Sequence, residues 1–211
     1  MAFRLHMKNL DVIARHIQER LDEKDTVREI AIKSSRAIIR ISGGVIHSIH
    51  KGEDVTEMMS EALDEAQRLR SLLLEHPELL NSGLVEDGMQ ELSEAAILLS
   101  IYRKEELPSP EDLEVPYTAY LLGLADCIGE LRRFALEALR AGDTERAIEY
   151  LEMMEDFFQV IMRFDYPDAL VSIRRKQDIA RSLLEKTRGE VAVAVSSKRL
   201  GDSIRALDDK L

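Results

Sequence analysis

The chain has 211 residues, and 40 acidic against 29 basic side chains leave a formal charge of −11, which as a bulk quantity counts against nucleic acid as a partner. A hydrophobic content of 45% excludes an intrinsically disordered chain, and no apolar run approaches the ~20 residues a membrane helix needs. The lone cysteine, Cys127, excludes an internal disulfide and a thiolate metal site, while the opening MAFRLHMKNL lacks the apolar core and cleavage site of a secretory signal, so a cytoplasmic protein away from membranes is expected.

Helical periodicity runs through nearly the whole chain. A first pattern over about residues 5–21 ends in the polar run Asp22-Glu-Lys-Asp25. A second, over 26–51, stops at Gly52, where Glu53 and Asp54 mark the next N-terminus. The third covers about 55–75 and stops at His76-Pro77, because the residue before proline is pushed out of the helical region. After the Asn81-Ser-Gly83 turn a fourth spans about 84–103, and the stretch from Pro108 to Pro116 is the clearest loop. A fifth follows over 117–141 and a sixth from Gly142-Asp143 to about 164; a seventh opens at Pro167 and fades after Gly189. The only strand-like segment is the VAVAV of 191–195. The pattern predicts an all-α protein, a seven-helix antiparallel bundle over 1–192, followed by a C-terminal arm over 193–211 that is mobile or forms an interface. A tetratricopeptide array is excluded because the AGDTERAIEYLEMME segment has no second copy at a period of about 34 residues. A di-iron bundle is excluded because no histidine follows a glutamate by three positions.

Acidic pairs at helical spacing are common in so acidic a chain, so placement matters more than spacing. On the helix over 117–141, Leu121, Leu124, Ile128, Leu131 and Ala135 belong to a wide apolar arc, and Asp126 and Glu130 share the narrow stripe left over with Gly123 and Glu137. On the helix over 84–103, Asp87, Glu91 and Glu94 line one stripe that continues into Leu98, Ile101 and Tyr102. Two helices that each offer acids beside apolar continuations can build an all-oxygen site for a hard cation such as Mg²⁺, which suits phosphodiester hydrolysis. The other reading is of ordinary surface acids, or partners for Arg103, Arg132 and Arg133.

The helix over 26–51 carries the opposite sign. Lys33, Arg36, Arg40, His47 and Lys51 fall in one stripe with Gly43 and Gly44 in it or beside it, and five Lys/Arg against one acid make residues 28–51 +4. Basic side chains one turn apart, about 5–6 Å, can follow a phosphate backbone, mainly by electrostatics since no aromatic platform accompanies them. Pairing with Glu57, Glu61, Asp64 and Glu65 of the next helix is the alternative. A second basic group, Arg174, Arg175, Lys176, Arg181, Lys186 and Arg188, reads more simply as a solvated face. His6, His16 and His76 have no partner at ligand spacing, and Cys127 sits among apolar neighbours as a small core residue. No phosphate-binding glycine loop, dinucleotide fingerprint or serine nucleophile elbow occurs.

The run VPYTAYLLGLADCIGELRR over 115–133, followed by Ala141-Gly-Asp143, resembles the signature of the translin superfamily, closest to the branch called translin-associated factor X in a compact, archaeal-type form. The Gln90-Glu-Leu-Ser-Glu-Ala95 segment resembles that branch's QEYVEA-type helix, and the helix of residues 28–52 is similar to its second helix; the similarity extends over about 10–190. The resemblance implies a seven-helix bundle that assembles into hollow octamers with nucleic acid inside. It further implies a Mg²⁺-dependent endoribonuclease, with Mn²⁺ able to substitute, that acts on single-stranded or partly duplex small RNA. By motif position the carboxylates are Glu91, Glu94 and Asp126, with Glu130 adjacent. The branch carries a further acid where this chain has Gly88 with Asp87 beside it, which leaves metal stoichiometry open. Translin itself binds RNA and DNA without the complete acidic site, so a non-catalytic RNA or single-stranded DNA binder is the alternative function, and a helical scaffold for proteins a third. In a homo-oligomeric shell, an acidic exterior around a basic lumen would reconcile the charge of −11 with a nucleic acid held inside.

Overall fold

A computed structural model describes residues 9–80 and 82–208; the expected start of the first helix, His6, Asn81 and the end of the arm lie outside them. The helices are α1 (Leu10–Lys51), α2 (Thr56–Leu73), α3 (Pro77–Leu80), α4 (Gly83–Arg103), α5 (Tyr117–Arg140), α6 (Thr144–Ile161) and α7 (Arg174–Asp208), and no strand occurs among the described residues. The fold is thus all-α with seven helices, but two of the expected elements are one: α1 runs unbroken for 42 residues. The polar run 22–25 does not interrupt it, because it holds no Gly or Pro. The Arg20–Glu23 and Arg28–Asp25 pairs, each at i,i+3, brace the turns on either side. The seventh element is instead the single turn α3, opened by Pro77 where a missing N–H costs nothing.

The termini of the longer elements follow local chemistry. Gly52 closes α1 in the left-handed region at φ 72°, its N–H and that of Glu53 returning to Ile49 and Ser48. Asp143 caps α6 by accepting from the Arg146 N–H at 3.0 Å. The last helix begins at Arg174 rather than Pro167, and Gln177 turns back to donate to the carbonyls of Ile161 and Phe164, both at 2.9 Å, satisfying the end of α6. Residues 191–195 are helical and α7 continues without a break to Asp208; Val191 is buried against Ala138 and Ala147, with Val195 packed one turn on.

Helices joined by short connections alternate in direction, but α4 and α5, joined by the long segment 104–116, run in the same sense. Gly123 meets Gln90 and Glu94 early in both, and His50, level with the end of α4, meets Glu130 and Phe134 further along α5. Ser35 faces Gly88 near the start of α4 and Gly52 faces Tyr102 near its end, so α1 and α4 run side by side in the same sense, with α2 on the outer flank. One core joins α1, α2 and α4 through Ile38, Ile49, Leu69 and Leu92; a second joins α5, α6 and α7 through Ile128, Leu131, Met154 and Leu184. The two meet where α4 packs on α5. Beyond the cores, the first turns of α1 expose Leu10, Ile13, Ile17 and Leu21 on one face, and the last turns of α7 expose Val193, Leu200, Ile204 and Leu207. No described helix is long and apolar enough to cross a membrane.

Candidate functional site

The seam between α4 and α5 is unusually close, and a glycine makes it so. A Cβ on Gly123 would lie 2.6 Å from the Gln90 carbonyl oxygen and 2.9 Å from the Glu94 nitrogen, so only glycine allows the two backbones to approach there. That approach brings the acidic stripes of the two helices together, with Glu91 and Glu94 on α4 and Asp126 and Glu130 on α5 feeling one another's charge. Gly88, by contrast, faces α1: a Cβ there would meet the Ser35 hydroxyl at 2.6 Å. An acid at position 88 would therefore point away from the seam. Asp87 is exposed at the rim and acts on Glu91 only as a weaker neighbouring charge.

Burial and mutual repulsion set the chemistry. Glu94 is 8% exposed, and its carboxyl has no hydrogen-bond or ion-pair partner among the described residues. Burial first, then the neighbouring Asp126, Glu91 and Glu130, push its pKa up to about 8. The half-buried Glu91 is raised for the same reasons. Glu130 moves the other way, because the His50 imidazole donates from Nε2 to its carboxylate at 2.5 Å. His50 comes from the C-terminal turn of α1, its side chain 2% exposed, its ring tilted 32° against Phe134 at 4.2 Å between ring centres, with Nδ1 at 3.5 Å from Glu137. Asp126 is held on both oxygens: Lys176 of α7 reaches them at 2.5 and 2.6 Å, and the Gln90 amide donates at 2.6 Å.

Among the described residues, no three acidic or histidine side chains converge closely enough to hold a metal ion as they stand. The acids are instead spread among counter-groups supplied by the protein. The arginines weighed as partners contribute little to this. Arg132 forks onto Glu190, Arg103 donates to Thr56, and only Arg133 lies near, at 3.8 Å from Glu130 and 3.6 Å from Glu137. The groups that do hold the acids, Lys176, Gln90 and His50, are absent from the residues singled out for the acidic site in the sequence. Lys176 belonged there to a face read as solvated, and for Arg174, Arg181 and Arg188 that reading holds: each pairs at the surface, with Asp165, Asp178 and Glu155.

On α1 the basic stripe is exposed along its length at Lys33, Arg36, Arg40, His47 and Lys51. Lys33, Arg36, Arg40 and His47 make no ion pair or hydrogen bond among the described residues, and Lys51 has only Glu53 at 3.9 Å. The acids of α2 do not neutralise the stripe: Glu65 pairs within its own helix to Arg68. Gly43 opens onto free space in the stripe, whereas a Cβ added at Gly44 would meet the Met58 sulfur at 3.0 Å.

Residues 17–189 match the family described as the Translin family. An uncharacterized protein of Methanocaldococcus jannaschii is 36% identical over 188 residues, 88% of this chain and 84% of that protein. Among solved structures, AfC3PO superposes with a TM-score of 0.79 at 35% identity, covering 87% of this chain and 97% of that one. A complex of AfC3PO with duplex RNA matches at 0.70 and 33% identity over the same shares. Apo-NeC3PO, at 23% identity and a TM-score of 0.74 over 89% of this chain and 97% of that one, shares the fold. With the family match spanning most of the bundle, including both helices of the acidic seam, the chain is a member of the Translin family.

Proposed function

We propose that this protein is a metal-dependent endoribonuclease that works as a homo-oligomer, with Glu91, Glu94, Asp126 and Glu130 holding Mg²⁺ and the α1 stripe guiding the RNA. The observation that carries this reading is Glu94, a buried carboxyl without a partner beside three other acids. A carboxyl whose pKa is pushed up by burial and then by neighbouring acids is relieved when a divalent cation enters, so the donor set fits a hard, oxygen-seeking metal. Mn²⁺ suits the same oxygens. A bound Mg²⁺ would polarise the scissile phosphate and lower the pKa of a water. The residues of the chain supply the rest: Glu91, Glu94 and Asp126 bind, and Glu130, kept charged and oriented by His50, completes the ligand set or orients the attacking water.

Lys33, Arg36, Arg40, His47 and Lys51 lie on the face of α1 away from the core, free to track a phosphate backbone. RNA is the expected partner, single-stranded or as a small duplex, and AfC3PO, a relative at 33% identity, has a solved structure in complex with duplex RNA; single-stranded DNA offers the same phosphates. The apolar faces left bare at both ends of the bundle favour self-association, as an octamer or a part of one. A cytoplasmic location goes with this reading.

The test is cleavage of a single-stranded RNA with Mg²⁺ or with EDTA, on material of known mass in solution. Glu94→Gln and Asp126→Asn each abolish Mg²⁺-dependent cleavage and leave binding intact; unchanged cleavage in both overturns the site. A non-catalytic translin-type binder is the second reading, favoured by the way Lys176, Gln90 and His50 already occupy Asp126 and Glu130. It requires RNA binding indifferent to chelator and no cleavage at all.

A further inference from the structure

The first turn of α7 puts a cation where the acidic seam needs one. Arg174 and Arg181 lean outward onto Asp165 and Asp178, but Lys176 turns inward, and its ammonium contacts both oxygens of Asp126 at 2.5 and 2.6 Å. Gln90 donates to one of the same oxygens at 2.6 Å. Glu91 and Glu94 stand beside this single positive charge with no hydrogen-bond or ion-pair partner of their own among the described residues. One unit charge is too little for Asp126, Glu91 and Glu94 all to ionise together, whereas a divalent cation in the same place comes closer. The two cannot share Asp126, because a metal ion and an ammonium within a few ångströms repel strongly in a half-buried site. Lysine is suited to leave, being a point charge on a flexible four-carbon stem, and here it keeps 24% of its side-chain surface exposed.

We propose that Lys176 is the site's resident counter-ion and that it changes partner during function. It holds Asp126 in the absence of a divalent cation; with the cation bound, the Lys176 ammonium would release Asp126 and contact a non-bridging phosphate oxygen of the RNA. The exchange rests on the metal-dependent nuclease reading above, and no bond other than these ionic contacts is made or broken. It makes Lys176 a competitor of the metal when RNA is absent and a helper of cleavage when RNA is present. A lysine that merely pins α7 to α5 has no reason to act with those opposite signs.

The experiment measures Mn²⁺ affinity from the paramagnetic resonance of the free ion, on the full chain in its native assembly without RNA. Cleavage of single-stranded RNA is measured in parallel at saturating Mn²⁺. Lys176→Met removes the charge; Lys176→Gln keeps a donor for Asp126 and serves if the Met variant does not fold. Lys176→Arg keeps the charge and can fork onto both oxygens. The expected result is Mn²⁺ binding about tenfold tighter in the Met and Gln variants and weaker than wild type in the Arg variant. Cleavage by the Met and Gln variants falls about 10²-fold despite the tighter metal. Mn²⁺ affinity that is unchanged or weaker in both Met and Gln variants overturns the counter-ion role, and tighter Mn²⁺ with undiminished cleavage overturns the handover to phosphate. If wild type cleaves with metal while the variants bind Mn²⁺ no tighter, this inference alone fails. If neither wild type nor variants bind Mn²⁺ or cleave, the nuclease reading fails with it.

Discussion

The α4–α5 seam and the outer face of α1 are both dense in charge, yet they handle it in opposite ways. In the seam every acid is partly or wholly removed from water. The chain compensates Asp126 with Lys176 and Gln90 and Glu130 with His50, and gives the Glu94 carboxyl no hydrogen-bond or ion-pair partner among the described residues. On α1 the basic side chains are exposed, and none of Lys33, Arg36, Arg40 or His47 has an ion-pair or hydrogen-bond partner among the described residues. Burial turns charge into a structural problem that must be solved inside the molecule; exposure leaves it available for a ligand at almost no cost to the fold. The difference also explains how a chain of net charge −11 can present a positive face. The sum describes neither region.

The seam's unsolved part gives the largest expected effect. Because the Glu94 pKa is raised from 4.5 to about 8, the folded chain binds a proton more tightly than the unfolded one. The stability this contributes is fully present below the unfolded value of 4.5 and is lost as pH rises to about 8. The full swing corresponds to about 5 kcal/mol as an order of magnitude. Thermal unfolding of the metal-free protein should therefore show stability falling from pH 5 to pH 8. Glu94→Gln should flatten that slope and raise Tm at pH 8 by about 5–15 °C while cleavage is lost. An unchanged slope in Glu94→Gln means that the seam does not store this repulsion. Saturating Mg²⁺ should likewise restore wild-type stability at pH 8.

Next in size is the close approach itself. Gly123→Ala adds a methyl against backbone atoms at 2.6 and 2.9 Å, and backbone cannot step aside as a side-chain tip can. Alanine gains about 1 kcal/mol in helix propensity, while forcing the helices apart costs about 1–3 kcal/mol. A net loss of up to about 2 kcal/mol by urea unfolding is expected, with cleavage falling more than stability because the two acid pairs separate. A stabilised Gly123→Ala would show that α4 and α5 are free to part.

How much of this could be read in the sequence follows the same division. The acids and the basic stripe were legible because each set lies on one helix, where a 100° step per residue fixes which side chains are neighbours. Lys176 and His50 were not, since they reach the seam from 50 and 80 positions away, and only the packing of α7 and α1 on α5 brings them there. Gly123 was seen in the acidic stripe but not as the point of approach, which depends on the helix opposite. The polarity of the run 22–25 suggests a break that does not occur, because Glu and Lys are good helix formers and the true breakers are Gly52 and Pro77.

On the exposed face the expected effects are smaller and of another kind. Replacing Lys33, Arg36 and Arg40 together by Gln should leave Tm within about 1 °C, since none has a partner to lose. The slope of log K for single-stranded RNA against log salt should become shallower by about 2, at ~0.7 per phosphate contact. Cleavage at saturating RNA should persist. A slope equal to wild type would place the RNA elsewhere on the molecule.

The smallest effect is expected at Asp87, and it decides how far the seam extends. Asp87 is exposed at the rim, one turn before Glu91, and the position that could have carried a deeper acid is Gly88, turned towards Ser35 on α1. Its charge reaches Glu91 as a weaker influence than burial or Asp126. Asp87→Asn should therefore change Mg²⁺-dependent cleavage by less than about threefold, the scale of an exposed charge acting through water. The metal dependence of the rate should keep the same shape. A tenfold or larger loss, with a steeper dependence on Mg²⁺ concentration, would mean that Asp87 binds metal and that the seam holds two ions. The exposed rim would then belong to the buried site, and the acids on α4 would act as a row of three rather than as a pair.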